Sequence, residues 1–276
     1  MPPRSKTTLI PEEIARWLDV LASVPAGKSL VDQALNHGIR FRLAPKSWQY
    51  AYYQQDGGII GIKPNRPENE IIGNLAHELR HAFQDKTGQM TSLTDSPRDV
   101  LLRTHSTEAD AESLALLVCA QLAEAGHPEY LQARLDGEMP DIARRFVATL
   151  PQGPLPAMRA AYDQWFEDEG RRTSYFSYAI DWMDINIRER AKAQVTSGPL
   201  PYTRKDIVRL GLLPGGLNYL SATGGPALDS PFYCRPITPS QEESLQDAQM
   251  SLDHLRKTFN SRSRSHPNKK PKPGKG

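Results

Sequence analysis

Asn74-Leu75-Ala76-His77-Glu78-Leu79-Arg80-His81 decides how the rest of the chain is read, because two histidines stand four residues apart with a glutamate directly after the first. On an α-helix, residues i and i+4 share a face, so both imidazoles can turn toward one ion about 2 Å from each ring nitrogen. Glu78 lies about 100° round the helix from His77, within reach of a water polarised by that ion but off the ligand face. The H-E-x-x-H spacing therefore assigns His77 and His81 as ligands of Zn²⁺ and Glu78 as general base.

That assignment needs a helix, and the flanking residues predict one. Pro67, Glu68 and Glu70 suit a first turn, and Lys86-Thr87-Gly88 suits a last turn with a glycine stop. Between these limits Ile71, Ile72, Leu75, Leu79, Ala82 and Phe83 form one apolar stripe. His77 and His81 fall on the opposite face with Gly73, Asn74, Gln84 and Asp85. One side of this helix should be buried, and the other should present the histidines.

A third ligand is expected on the next helix. Ser96-Pro97-Arg98-Asp99 supplies a cap, a proline at the first position and an acid at the third, and Gly126-His127-Pro128 supplies the stop. Ala111, Ala115, Val118 and Leu122 form its stripe, and Glu108 falls on that stripe. A carboxylate so placed must be paired or metal-bound, which makes Glu108 the third ligand. Glu112, one turn on, is placed to hydrogen-bond a ligand imidazole and fix its tautomer. Asp110, about 200° round from Glu108, is expected to face water.

These residues resemble the gluzincin metallopeptidases: His77-Glu78-x-x-His81, then Glu108 with Ala111, Leu114 and Ala115. The E-x-x-A-x-x-L-A run is similar to the third-ligand helix of ImmA/IrrE-type bacterial peptidases, and a sheet followed by an active-site helix looks like their minimal core. Bacterial metallopeptidase domains without an assigned substrate are similar in the same way. The resemblance covers residues 39 to 126 and implies peptide hydrolysis at zinc. Several gluzincins carry aspartate where this chain has Glu112.

Ahead of the histidine helix, Ile39-Arg40-Phe41-Arg42-Leu43 alternates as a strand, and Trp48 to Tyr53 is aromatic and β-favouring. Asp56-Gly57-Gly58 is turn chemistry before Ile59 to Lys63. A small antiparallel sheet is expected. Its last strand is either an edge, where Ile60, Gly61 and Ile62 would pair with an extended substrate, or an internal strand with Gly61 as a bulge.

The remainder reads as mostly helical. Helical patterns run over Pro11 to Val24 and Ser29 to Asn36, then Glu129 to Leu135, Pro140 to Leu150, Pro154 to Glu167 and Arg171 to Ala193. Tyr175 and Tyr178 in the last of these, and His105 one turn before Glu108, are candidate oxyanion stabilisers; core packing is the other role for the tyrosines, and capping exposed surface for His105. Residues 214–239 lack periodicity and suit a lid or surface cover, and Gln241 to Phe259 suits a final polar helix.

Composition bounds the class. The chain has 276 residues, 38% hydrophobic and 24% charged, enough to bury a core. Cys119 and Cys234 are too few for a disulfide scaffold or a cysteine-based metal site. Met1 to Glu13 lacks the apolar segment of a Sec-type signal, and the apolar run Leu114 to Ala123 is too short to span a bilayer, so a cytoplasmic protein is expected, with a non-Sec export route left open. Six of the cations, with no acid, lie in residues 259–276; without them the net charge of +2 becomes −4. That tail is expected to be disordered, either solubilising or a loose anchor for nucleic acid and acidic surfaces.

The expected fold is α+β: helices over 1–38, a metallopeptidase core over 39–126, a helical part over 127–258 and the basic tail. The expected function is zinc-dependent hydrolysis of a peptide or protein substrate. The alternative is a metal-containing protein-binding module or delivered effector without peptidase activity.

Overall fold

Pro67 and Gly88 bracket the histidine helix as their backbone preferences dictate: α3 runs Glu68–Lys86, and Gly88 follows it with φ +69°. The computed structural model describes residues 10–198, 201–213, 216–221, 228, 230–234 and 238–265. The fold is α+β, mostly helical with one small sheet. Before α3 come α1 (Glu12–Ala22), α2 (Pro25–Asn36) and strands β1 (Arg40–Leu43), β2 (Ala51–Gln54) and β3 (Ile59–Ile62). After it comes α4 (Pro97–Glu124), 28 residues long, whose cap is Ser96 accepting from the Asp99 amide at 3.2 Å.

The sheet corrects the expectation of an all-antiparallel arrangement. Strand order is β1-β3-β2, with β1 parallel and β2 antiparallel to β3. Strand β3 is therefore internal, and Ile60, Gly61 and Ile62 offer no free edge to a substrate, because main-chain pairing is taken on both sides. Gly61 is not a bulge either, since it pairs in register with Arg42 and Tyr52. It is small for another reason: a Cβ there would lie 2.3 Å from the Tyr52 ring. The inward face, with Phe41, Ile60 and Ile62 buried, packs toward α3, where Tyr53 donates to Asp85 at 2.7 Å.

Beyond α4 the helices are α5 (Pro128–Asp136), α6 (Pro140–Thr149), α7 (Pro154–Trp165), α8 (Glu169–Ile185), α9 (Ile187–Ser197) and α10 (Arg204–Leu210). The single helix expected over Arg171 to Ala193 is two. Asn186 divides them, its side chain donating to the Trp182 carbonyl at 2.8 Å, the kind of local bond that competes with helix continuation. One turn, α11 (Pro231–Cys234), precedes α12 (Pro239–Ser265). The final helix thus continues past Phe259, and residues 266–276 of the expected tail lie outside the described residues, as do parts of 214–239.

One core joins these elements. Ile14, Trp17 and Leu21 of α1, Ile71, Ile72 and Leu75 of α3, and Leu116, Val118 and Leu122 of α4 are buried together with Phe146, Tyr162 and Trp165. A second cluster, Val100, Leu101, Phe176, Met183 and Leu245, holds α8 and α12 against the start of α4. Helix α4 is buried on all sides over most of its length, which makes it the platform on which α3 lays its histidine face.

Candidate metal centre

His77 and His81 leave α3 one turn apart and converge, ring centroids 4.6 Å apart and planes at 80°. Their Nε2 atoms stand 2.9 Å apart. Glu108 of α4 completes the triangle, with Oε2 3.4 Å from His77 Nε2 and Oε1 3.3 Å from His81 Nε2. The three donor atoms lie within 4.8 Å of one another. Ligand atoms of one ion with bonds of about 2 Å stand about 2.8 to 3.4 Å apart at angles between square and tetrahedral. The separation of the two Nε2 atoms, and the distance from each to a Glu108 oxygen, fall in that range, so this donor set could hold a metal ion.

Each histidine is oriented from its far side. His77 Nδ1 faces Glu112 Oε2 at 3.5 Å, where the Arg134 guanidinium also pairs with Glu112. His81 Nδ1 lies 2.8 Å from Gln84 Oε1. Gln84 Nε2 in turn donates to the Thr107 carbonyl at 2.9 Å and to Asp110 at 2.8 Å, both on α4. With each Nδ1 facing an acceptor, each Nε2 lone pair is left for the centre.

The electrostatics match. Burial alone would push His77 down, but the Glu108 and Glu112 carboxylates beside it raise it to about 10. His81 is raised against its burial in the same way, chiefly by Glu108. Burial would raise Glu108, yet the two imidazoles hold it well below the usual carboxylate range. Positive charge at the triangle's nitrogen corners is stabilised, as a site built for a cation requires.

Glu78 is half-buried beside the triangle and has no hydrogen-bond or ion-pair partner among the described residues, although its charge is felt by His77, His81 and Tyr175. Burial, and then the charge of the Glu108 carboxylate, raise the Tyr175 hydroxyl well above its ordinary pKa. Tyr178 is 66% exposed and stands further out. His105 does not cap exposed surface. It is buried, 5.2 Å from the Trp165 ring and 6.2 Å from Phe166, and burial pushes it down to about 3, so it stays neutral.

Asp110 corrects a further expectation, for it is wholly buried rather than facing water. Arg80 donates to it through Nε at 2.6 Å and Nη2 at 3.1 Å, Tyr219 donates at 2.8 Å, and Gln84 completes the set. Arg80 also donates to the Leu210 carbonyl. The sequence puts Gln84 on the histidine face but gives it no role, and it carries no local signal for Arg80, Arg134 and Tyr219, whose partners lie 22 to 132 residues away.

A protein-family model described as "Putative metallopeptidase family (DUF6782)" matches residues 1–221. The chain belongs to this family. Membership implies a metal, and the His77, His81 and Glu108 cluster is where the described residues could bind one. The match also reaches well beyond residues 39–126, taking in the α7 and α8 segments and the Tyr219 that anchors Asp110. No curated protein and no solved structure matches the chain. Among the described residues no helix is long and apolar enough to cross a membrane.

Proposed function

We propose that this metallopeptidase-family chain hydrolyses peptide bonds with Zn²⁺ held by His77, His81 and Glu108 in the gluzincin manner, and with Glu78 as general base. The observation that carries the reading is that the two Nε2 atoms stand 2.9 Å apart, with a Glu108 oxygen 3.4 Å from the first and 3.3 Å from the second, beside a Glu78 carboxylate that has no hydrogen-bond or ion-pair partner among the described residues. Bound there, zinc supplies polarisation of the scissile carbonyl and acidifies the attacking water. Glu78 takes the water's proton on its carboxylate and returns it to the leaving amine nitrogen. Glu112 and Gln84 hold the two imidazoles in the tautomer that presents Nε2. Tyr175, whose hydroxyl feels the Glu108 carboxylate, is the donor proposed for the developing oxyanion.

The test is reconstitution. Purified protein should carry about one zinc per chain by atomic absorption and cleave members of a broad peptide pool, lose cleavage on chelation, and regain it with zinc. Full zinc without any cleavage would overturn the peptidase reading and leave a metal-containing binding module or effector. Full zinc in Glu108→Ala would overturn the ligand set.

A further inference from the structure

The outward face of the sheet and its loops carry positive charge that no carboxylate answers among the described residues. Residues 39–66 contain five cations, Arg40, Arg42, Lys46, Lys63 and Arg66, and one acid, Asp56. That is +4 in a chain of net +2, leaving −2 on everything else. Among the described residues none of the five pairs with a carboxylate, whereas Arg80, Arg103, Arg134 and Arg171 each do.

Aromatic rings lie among these cations. Register places Arg42, Gly61 and Tyr52 side by side on the face turned away from α3. The Tyr52 ring lies across Gly61, and Arg42 donates to its hydroxyl at 2.6 and 3.1 Å. The Arg66 guanidinium sits 4.2 Å from the Tyr50 ring centre. Trp48, between β1 and β2, is 85% exposed, and a shallow cavity of about 460 Å³ is lined by Ala44, Lys46, Trp48 and Tyr52. Packing within the chain gives no account of so exposed a tryptophan.

We infer that this face binds single-stranded nucleic acid, bases stacking on Trp48 and Tyr52 and phosphates meeting Arg40, Arg42, Lys46 and Arg66. Cations without carboxylate partners among the described residues, beside the exposed Trp48 and the half-buried Tyr52, supply the two components such binding uses, electrostatic tracking of the backbone and sequence-tolerant stacking. An acidic peptide would engage the cations but leave Trp48 without a role, and a duplex hides its base faces. The site lies across the sheet from α3 and does not depend on the peptidase reading.

The experiment is fluorescence anisotropy of a labelled oligothymidylate of about 15 nucleotides. The protein is the full chain with Arg262, Arg264, Lys269, Lys270, Lys272 and Lys275 changed to Gln, so that the six cations of the basic C-terminal segment do not contribute. Saturable binding should weaken linearly with log salt. Trp48→Ala should weaken it at least about fivefold and Trp48→Phe should largely restore it. Arg40→Gln with Arg42→Gln should reduce the salt slope by about 1.4. Circular dichroism checks that each surface variant keeps its fold. Absence of binding, or binding indifferent to Trp48→Ala, overturns the inference. So does equal competition by an oligoglutamate, which would make the face an acidic-peptide site, or by a duplex of the same charge.

Discussion

At the level of single residues, the centre is held by charge as much as by shape. In the metal-free protein His77 is raised to about 10, so it keeps its proton throughout the neutral range, and His81 is raised as well. A ligand nitrogen must give up that proton to the incoming ion. The sign follows: at pH 8 an ordinary imidazole with a pKa near 6.5 would release almost nothing on metal uptake, whereas this site should release about one proton per ion. Calorimetric titration with zinc at pH 8, in two buffers of different ionisation heat, reads that number. A value near zero would show that the carboxylates do not hold the imidazolium. The clustering of His77, His81 and Glu108 was legible because the i, i+4 spacing and the carboxylate on an apolar stripe are local signals. Asp110 was not, because an angle on a helical wheel says nothing about what packs on that side, and α4 is covered all round.

At the level of elements, helix ends were written in the chain and strand order was not. Pro67, Gly88, Ser96 and Gly126 act within a few residues of themselves, and the structure starts and stops α3 and α4 where they direct. Each strand spans four residues, and nothing local in Arg40–Leu43 states that it will lie parallel to Ile59–Ile62 with Ala51–Gln54 on the other side. The near-continuous apolar run of Ile59, Ile60 and Ile62 does carry the mark of an internal strand. A close helix contact gives an element-scale prediction. Gly27 of α2 approaches the end of α1 so closely that an added Cβ would stand 2.1 Å from the Leu21 carbonyl oxygen. Backbone cannot swing aside as a side-chain tip can, so Gly27→Ala should lower the melting temperature by roughly 3 to 10 °C. Zinc content should not change, since neither α1 nor α2 supplies a ligand. An unchanged melting temperature would show that the two helices separate freely.

Over the whole molecule, the metal-site helices are tied to distant chain through Asp110. It accepts from Arg80 and Gln84 of α3 and from Tyr219, while Arg80 reaches the Leu210 carbonyl at the end of α10. The same carboxylate thus holds Tyr219 directly and Leu210 through Arg80 against the core and, through Gln84, aims His81. Removing one charge from a buried pair costs about 3 to 5 kcal/mol. Asp110→Asn should therefore lower the melting temperature by about 6 °C or more and weaken zinc binding about 10- to 100-fold. Thermal unfolding and a competitive zinc titration measure the two effects. Loss of stability with zinc affinity intact would confine Asp110 to a structural role. This coupling was invisible in the sequence because its members span residues 80 to 219 and have no shared spacing.

The central claim is that Glu78 is a base and not a ligand, and Glu78→Gln tests it most directly. The change keeps size and hydrogen-bonding capacity while removing the basic carboxylate. Zinc content by atomic absorption should stay at the wild-type level, and peptide turnover should fall at least about a hundredfold. A variant that keeps its zinc and cleaves as well as wild type would contradict the account.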